Sequence, residues 1–527
     1  MVCRIFTAIS KGLSLCRHAF KTPDSKPFSK RHAKVMVKRS RGMLLQSIAL
    51  DRNGAQSLST QIYRQFKELM LDGAISAGDR LPSTRTMASE LGVARATIVE
   101  TFERLVAEGL LESRVGAGTH VSQALHARVA PVDAPLDIES IASAKLTQAI
   151  AIAKHFGSRL VHKYQPFTTG TPAFDAFPMA QWLRLSGKYW RNSRSPLLSY
   201  PDPHGDLHLR EAIATHLRIN RGIACHARQI FIVGGAQYAF QLIAEMLINA
   251  GDTVWFENPG HIGARNCFML AGANVLAVPV DECGLQVEHG LRLAASFKLA
   301  FITPSHQQPL GVKMSLERRF ALLQAAEAGD AWIIEDDWVG DFCVTPLPTL
   351  KEMDRGGRVI YVGSFSKSLF PSLRLGFILA PPPLVPFFCT SLEAFSPGVP
   401  THLQAIVAEF ISEGHFATHI RRMRKLYKER YDALVLALNT HLSPWLEVAP
   451  TQTGLHTCAY LKCSIDLEAL CAAAARKGVT LTPISRFSIA PVEQVGIVMG
   501  FAAYTPRQIE EAVVVMRGLF EAAPRVD

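Results

Sequence analysis

The chain has 527 residues, 48% of them hydrophobic and 19% charged, with a formal net charge of +11. That length suits roughly three or four domains with a sizeable core. Residues 1–42 carry eleven Lys or Arg and a single acid, so almost all the net charge sits there. The remainder is near neutral, which excludes arguing nucleic-acid binding from the overall charge.

No apolar run is long enough to span a bilayer, so no membrane contact is expected. Ten scattered cysteines include no CxxC pair; they predict reduced, mostly buried thiols in a cytosol and exclude a disulfide frame or a zinc site. The basic stretch 1–42 lacks the apolar core of a secretory signal. Its acid-poor composition fits an organelle transit peptide. The simpler expectation is a disordered extension, because Met36 and Met43 both precede the first patterned segment.

Residues 43–122 predict a small helical module with a ribbon. "LSTQIYRQFKELMLDG" puts Ile62, Phe66, Leu69 and Met70 on one helix face, with Ser59 or Thr60 as cap and Gly73 as stop. "STRTMASELG" reads as a second helix ended by Gly92. "ARATIVETFERLVAEG" reads as a third, with Ile98, Phe102, Leu105 and Val106 inward and Arg95 and Thr97 outward in its first turn. "LLESRVGAGTHVS" alternates as two strands around a Gly-Ala-Gly turn. Three helices and a ribbon make a winged helix-turn-helix. Such a module enters the major groove by the first turn of its third helix, where an arginine can fork onto guanine. Gly116 and Gly118 let the wing lie close to the sugar-phosphate backbone. A plain helical bundle with surface arginines is the alternative.

Residues 123–165, with Pro131, Pro135 and an alanine-rich patch, read as a linker with a helical piece near 139–156. Strands and helices alternate over 166–523, which predicts an α/β domain with a mostly parallel sheet covered on both faces. A smaller C-terminal α/β domain is expected over about 386–523. Ligands of such sheets sit at the C-terminal ends of the strands, and three strand ends carry chemistry. "IFIVGGAQYAF" is strand, glycine turn and helix, so the N–H groups of Gly235, Ala236 and Gln237 face a possible anion. "AWIIEDDW" ends four apolar residues in three acids, at least one of which faces a cleft. "VIYVGSFSKSLFPSLRLGF" ends at Lys367, with Ser364, Ser366 and Arg374 offering donors and charge to a phosphate.

Singly these are weak, since a glycine pair before a helix and a solvated acidic loop are common. Together they supply an amine for an imine, a carboxylate for a ring nitrogen and an anion cradle. That set suits an aldehyde-bearing pyridine with a phosphate, pyridoxal 5′-phosphate.

The string "LPSTRTMASELGVARATIVETFERLVAEGLLESRVGAGTHV" resembles the GntR-type winged-helix signature, and 166–520 resembles the fold-type I aminotransferases. Jointly the chain resembles the MocR/GabR subgroup of GntR regulators. The resemblance implies DNA contacts at Ser83, Arg85, Arg95, Thr97, Arg114 and the wing glycines Gly116 and Gly118. It implies that Lys367 forms the internal imine, that Asp336 holds the pyridinium and that Arg374 binds the phosphate. It also implies that Tyr200 in "YPDPHG" reaches a neighbouring subunit's phosphate and that Gln308 in "TPSHQQPLG" lies at the O3′ edge.

Departures from the pattern are Trp338, where an O3′-contacting tyrosine is usual, and His261, where a ring-stacking tyrosine is usual. Gln494 and Val495 stand in the region where a carboxylate-binding arginine is usual. Arg265 remains as a second family position for a carboxylate, and Arg486 is a nearby substitute. His306 either lines the effector site or hydrogen-bonds within its own loop, the second being the favoured reading.

The implied function is a cytoplasmic regulator that senses an amine or amino-acid-like effector. It would bind a double-stranded operator as a head-to-tail homodimer, with no productive turnover expected. The alternative is a working transaminase with an appended DNA module; a cofactor-free degenerate domain is a third possibility.

Overall fold

A computed structural model describes residues 48–114, 118–124, 164–191, 195–343, 345–451 and 454–523. It separates into two units, 1–144 and 145–527. The basic extension and the helical piece expected near 139–156 lie outside the described residues.

In the first unit, helix α1 (Leu58–Leu71) starts after Ser57, whose hydroxyl accepts from the Thr60 N–H. The cap is therefore neither Ser59 nor Thr60: both sit inside the first turn, and a capping hydroxyl must precede it to reach an N–H two or three residues on. Helix α2 (Thr84–Leu91) is capped by Ser83 and ends at Gly92 with φ 62°. Helix α3 (Arg95–Ala107) buries Ile98, Thr101, Phe102 and Leu105. Val106 was expected inward but is 39% exposed, because one residue past Leu105 is a 100° rotation off the apolar stripe. Phe66 meets Phe102 edge-on at 6.3 Å and pins α1 to α3. Strands β1 (Leu111–Arg114) and β2 (Gly118–Val121) pair antiparallel with Leu111 opposite Val121, and both of these residues join the same core.

The second unit is built on an eight-stranded sheet in the order β3–β10–β9–β8–β7–β4–β5–β6. Its strands are β3 (Ile230–Val233), β4 (Thr253–Asn258), β5 (Asn274–Asp281), β6 (Gly284–Leu285), β7 (Leu299–Ile302), β8 (Trp332–Asp336), β9 (Val359–Ser364) and β10 (Gly376–Leu379). The inner strands β5, β4, β7, β8 and β9 run parallel, and β10 is antiparallel to both its neighbours. Alternate residues go to opposite faces, as strand geometry requires. Val254, Phe256, Leu299, Phe301 and Ile334 pack under helices α4 (Ala236–Leu247) and α5 (Ile262–Leu270). Trp255, Ala300, Ile302 and Ile333 pack under helix α6 (Leu316–Ala328). Burial on both faces explains why these strands read as unbroken apolar runs.

A second, antiparallel sheet has the order β11–β12–β14–β13, from Leu446–Val448, His456–Leu461, Gly496–Gly500 and Thr482–Pro483 respectively. Helices α7 (His415–His441) and α8 (Pro506–Ala522) contribute Met423, Leu434, Val513 and Met516 to the core it shares. The end of β14 fixes the segment entering this unit: the Gly500 N–H donates to Phe167 O at 2.9 Å. A Cβ at position 500 would stand 2.1 Å from Thr168 O, so the close backbone approach requires glycine. Among the described residues, eight cysteines are free thiols, and no helix is long and apolar enough to cross a membrane.

Gly500→Ala must push the 167–170 segment away from β14. It is expected to destabilise this unit by about 1–3 kcal/mol, read as a lower midpoint in chemical denaturation. An unchanged midpoint would refute the stated approach.

Candidate functional site

Strand β9 runs out at Ser364, whose hydroxyl accepts from the Ser366 N–H at 3.2 Å and turns the chain into one helical turn, Phe365–Ser368. Lys367 is thereby projected into a cleft, where its Nζ donates to Gly170 O at 2.6 Å. Gly170 belongs to the segment that Gly500 fixes, so the amine is held between the two sheets. Seven residues on, Arg374 adopts a left-handed conformation, φ 49°, and its Nη2 donates to Gly234 O at 3.0 Å. This lays the guanidinium beside the N-terminus of α4: a Cβ at Gly235 would be 3.6 Å from it.

Helix dipole and guanidinium converge where an anion would sit. Ala236, Gln237, Ser364 and Ser366 line the same cleft. One detail differs from the sequence reading. The Gly235 N–H is already spent on Val233 O at 2.7 Å, so the cradle consists of the N–H groups from 236 onward. Gly235, at φ 90°, makes the turn and is not itself a donor to a ligand.

The three consecutive acids part company, as their positions on and after β8 dictate. Glu335 turns away to accept from the Leu350 and Lys351 N–H groups at 3.0 and 2.8 Å, and burial pushes its carboxyl up to about 7. Asp337 accepts from the Tyr361 hydroxyl at 2.7 Å and pairs with Arg221. Asp336 faces the cleft, 1% exposed, and its Oδ1 has no hydrogen-bond partner among the described residues. Burial first, then Asp337 and Glu257, raise its carboxyl well above the ordinary range, while Lys367 opposes the rise. A buried carboxyl lacking a donor is costly to the fold. A protonated ring nitrogen is the group that would satisfy it, so the donor set fits pyridoxal 5′-phosphate.

Gln308, His261 and Trp338 also line the cleft. His261 caps α5, its Nδ1 accepting from the Ala264 N–H at 3.0 Å. Trp338 donates its Nε1–H to His306 O at 3.0 Å, so that donor is spent within the protein, and its ring stacks on His456 at 5.5 Å and 11°. The three residues expected at the effector are not among those lining this cleft. Arg265 is 1% exposed and donates to Ser488 O and Asn266 Oδ1, both at 3.2 Å, which ties α5 to the segment after residue 484. Arg486 is exposed.

His306 neither lines the cleft nor hydrogen-bonds through its ring within its loop. Its imidazole packs against Trp338 and His456, and both ring nitrogens lack partners among the described residues. The favoured reading is corrected on that point. Tyr200 is 97% exposed and outside the cleft.

Sequence reasoning missed Gly170, His456 and Phe487, which line the cleft from distant segments, and Glu257. Buried beside Thr303, Glu257 accepts from its hydroxyl at 2.6 Å and is pushed up to about 7. The "TTGTP" string was a visible turn signal for Gly170; nothing local marked the others.

In the first unit, Arg95 opens α3 and is exposed, with Thr97 half-buried two residues on. Ser83 spends its hydroxyl on the α2 cap, accepting from the Thr86 N–H, while Arg85 is exposed one residue into that helix. Gly118 has φ 88°, and a Cβ there would lie 3.1 Å from the Arg80 Nε. Arg80, which the sequence reading missed, therefore lies along the wing. Gly116 and the Arg114 side chain lie outside the described residues.

Residues 58–121 match the bacterial regulatory protein gntR family, and residues 165–516 match the aminotransferase class I and II family. The chain is 38% identical to the "Probable rhizopine catabolism regulatory protein MocR" of Rhizobium meliloti, over 90% of this chain and 96% of that one. It is 35% identical to the HTH-type transcriptional regulator TauR of Rhodobacter capsulatus, over 75% and 82% of the two chains. Among solved structures, LysN, an α-aminoadipate aminotransferase from Thermus thermophilus complexed with N-(5′-phosphopyridoxyl)-L-leucine, superposes with a TM-score of 0.65. Its identity is 25%, over 71% of this chain and 98% of that one. With both modules matched in one chain and relatives aligned along nearly their whole length, the protein belongs to the MocR-type members of the GntR regulators, whose second domain is an aminotransferase-like fold that binds pyridoxal 5′-phosphate.

Proposed function

We propose that this regulator senses a primary amine in the Lys367 cleft and reads a double-stranded operator through α3 and the wing. It does so as a cytoplasmic homodimer in which Tyr200 serves the partner's phosphate site. The observation that carries the sensing half is the coincidence in one cleft of the Lys367 amine and the unsatisfied Asp336 carboxyl. The anion cradle formed by Arg374 and the α4 terminus completes the set.

Pyridoxal 5′-phosphate, when bound, supplies an aldehyde that condenses reversibly with primary amines. The chain's own residues do the rest. Lys367 offers its amine from a backbone carbonyl, and Asp336 would hold the ring nitrogen's proton. Arg374, Ser364, Ser366 and the 236–237 N–H groups would hold the phosphate. His261 and Trp338 wall the ring's surroundings. Full exposure of Tyr200 leaves it available to a second copy, which supports the homodimer. An effector alters operator binding only to the extent that it prefers one arrangement of the dimer. The intact lysine also favours a second reading, a working transaminase, which steady-state amine-to-keto-acid turnover would reveal.

Three outcomes are expected. Purified protein should show visible Schiff-base absorption and, after borohydride reduction, a pyridoxyl adduct on the Lys367 peptide; Lys367→Ala should abolish both. Retention of the absorption in that variant would defeat the cofactor assignment. Asp336→Asn should weaken cofactor retention by roughly ten- to hundred-fold, the loss of one charge-assisted hydrogen bond, measured by equilibrium dialysis. Arg95→Ala should weaken operator binding by about 1–3 kcal/mol in a gel-shift titration and leave the absorption unchanged.

A further inference from the structure

The cleft also has an apolar wall, which bears on what kind of amine can enter. Ile262 and Phe487 form that wall, and behind them stand Cys458, Ile484 and Val498 in one closed apolar cluster. Val498, at the centre of β14, is fully buried there. At position 263 the cleft is lined by a glycine, and a Cβ there would lie 2.1 Å from Gln237 Oε1. Gln237 in turn donates to Gly263 O at 2.9 Å. A side chain at position 263 would have to displace the Gln237 amide.

Among the described residues lining the cleft, the permanent cations are Lys367 and Arg374, and both are taken by the cofactor in the reading above. The two imidazoles do not replace them. His456 donates its Nε2–H to Pro309 O at 2.9 Å, and burial presses its pKa down to about 4, so it is neutral at pH 7. His261 accepts a backbone N–H at Nδ1, so its ring carries its proton on Nε2 and is neutral, a donor without charge. Arg265, the nearest buried guanidinium in sequence, points its Nη1 at Ser488 O and does not line the cleft.

A carboxylate moved from water against such a wall loses hydration without gaining a charge partner, a penalty of several kcal/mol in a buried setting. A hydroxyl or an alkyl end loses far less. We infer that the effector is a primary amine without a carboxylate, its far end neutral and seated against Ile262 and Phe487. This rests on the amine-sensing reading and narrows it to a ligand class.

The test uses full-length protein loaded with pyridoxal 5′-phosphate and titrated with matched amine pairs. Suitable pairs are 3-aminopropan-1-ol against β-alanine and 4-aminobutan-1-ol against 4-aminobutyrate, followed by the shift of the visible cofactor band. The alcohol of each pair should bind at least about ten-fold more tightly. Equal or tighter binding of the carboxylates overturns the inference while leaving amine sensing standing. A panel in which no amine moves the band overturns both. The borohydride adduct at Lys367, scored on the same sample, shows whether the cofactor assignment itself has failed.

Discussion

The position of one amine depends on a contact that contains no side chain at all. Lys367 Nζ is held by Gly170 O, and Gly170 is where it is because the chain at 167–168 lies directly on Gly500. The acceptor is a neutral carbonyl, and it orients the lysine from the segment that Gly500 fixes. The arrangement also ties chemistry to architecture. The lysine belongs to the large sheet and its acceptor to a segment stitched onto the small one, so anything that engages the amine acts on both sheets together.

The acids at the end of β8 show how a fold selects its ligand through what it leaves unfinished. Glu335 and Asp337 are also buried, yet Glu335 accepts two backbone N–H groups, and one Asp337 oxygen, Oδ2, takes both the Tyr361 hydroxyl and Arg221. Asp336 Oδ1 receives no donor among the described residues, and burial first, then the acids around it, raise its carboxyl well above the ordinary range. Such a group is retained against stability. A cationic N–H donor arriving in the cleft recovers part of that loss, so the protein should be more stable with the cofactor than without it.

Much of this was legible in the sequence because it is local. Apolar runs bounded by glycines placed the strands, and the strand-end positions placed Lys367, Ser364, Arg374 and the acidic triplet at a cleft. Alternation along β8 is the reason Asp336 alone of the three faces inward. The misplaced features have equally physical causes. Ser57 lies outside the patterned run and was passed over as the cap, and Val106 is apolar without being on the stripe. The Gly235 N–H is consumed by a carbonyl two residues back, a choice that no residue pattern announces. Gly170, His456 and Phe487 reach the cleft only through pairing between segments hundreds of residues apart. Arg265 reads like an anion ligand until Ser488 O is seen to hold it.

The cleft's composition constrains how a signal can leave it. Its floor comes from β8 and β9, while His456 and Phe487 come from the small sheet's strand and the turn beside it. Arg265 bridges the same divide by tying α5 to residue 488. Were the small sheet to take two positions, a ligand that touched the floor alone would favour neither and would shift no equilibrium, however tightly it bound. One that also packs on Phe487 and Ile262 gains contacts only when the wall is in place. About 2.7 kcal/mol of such differential contact is a hundred-fold bias between two arrangements, and a few buried methylene groups supply that much at roughly 0.8 kcal/mol each. The apolar wall is therefore suited to be both the selectivity element and the lever. Under the inference drawn above, the carboxylate-free end of the effector is the part that does the pulling.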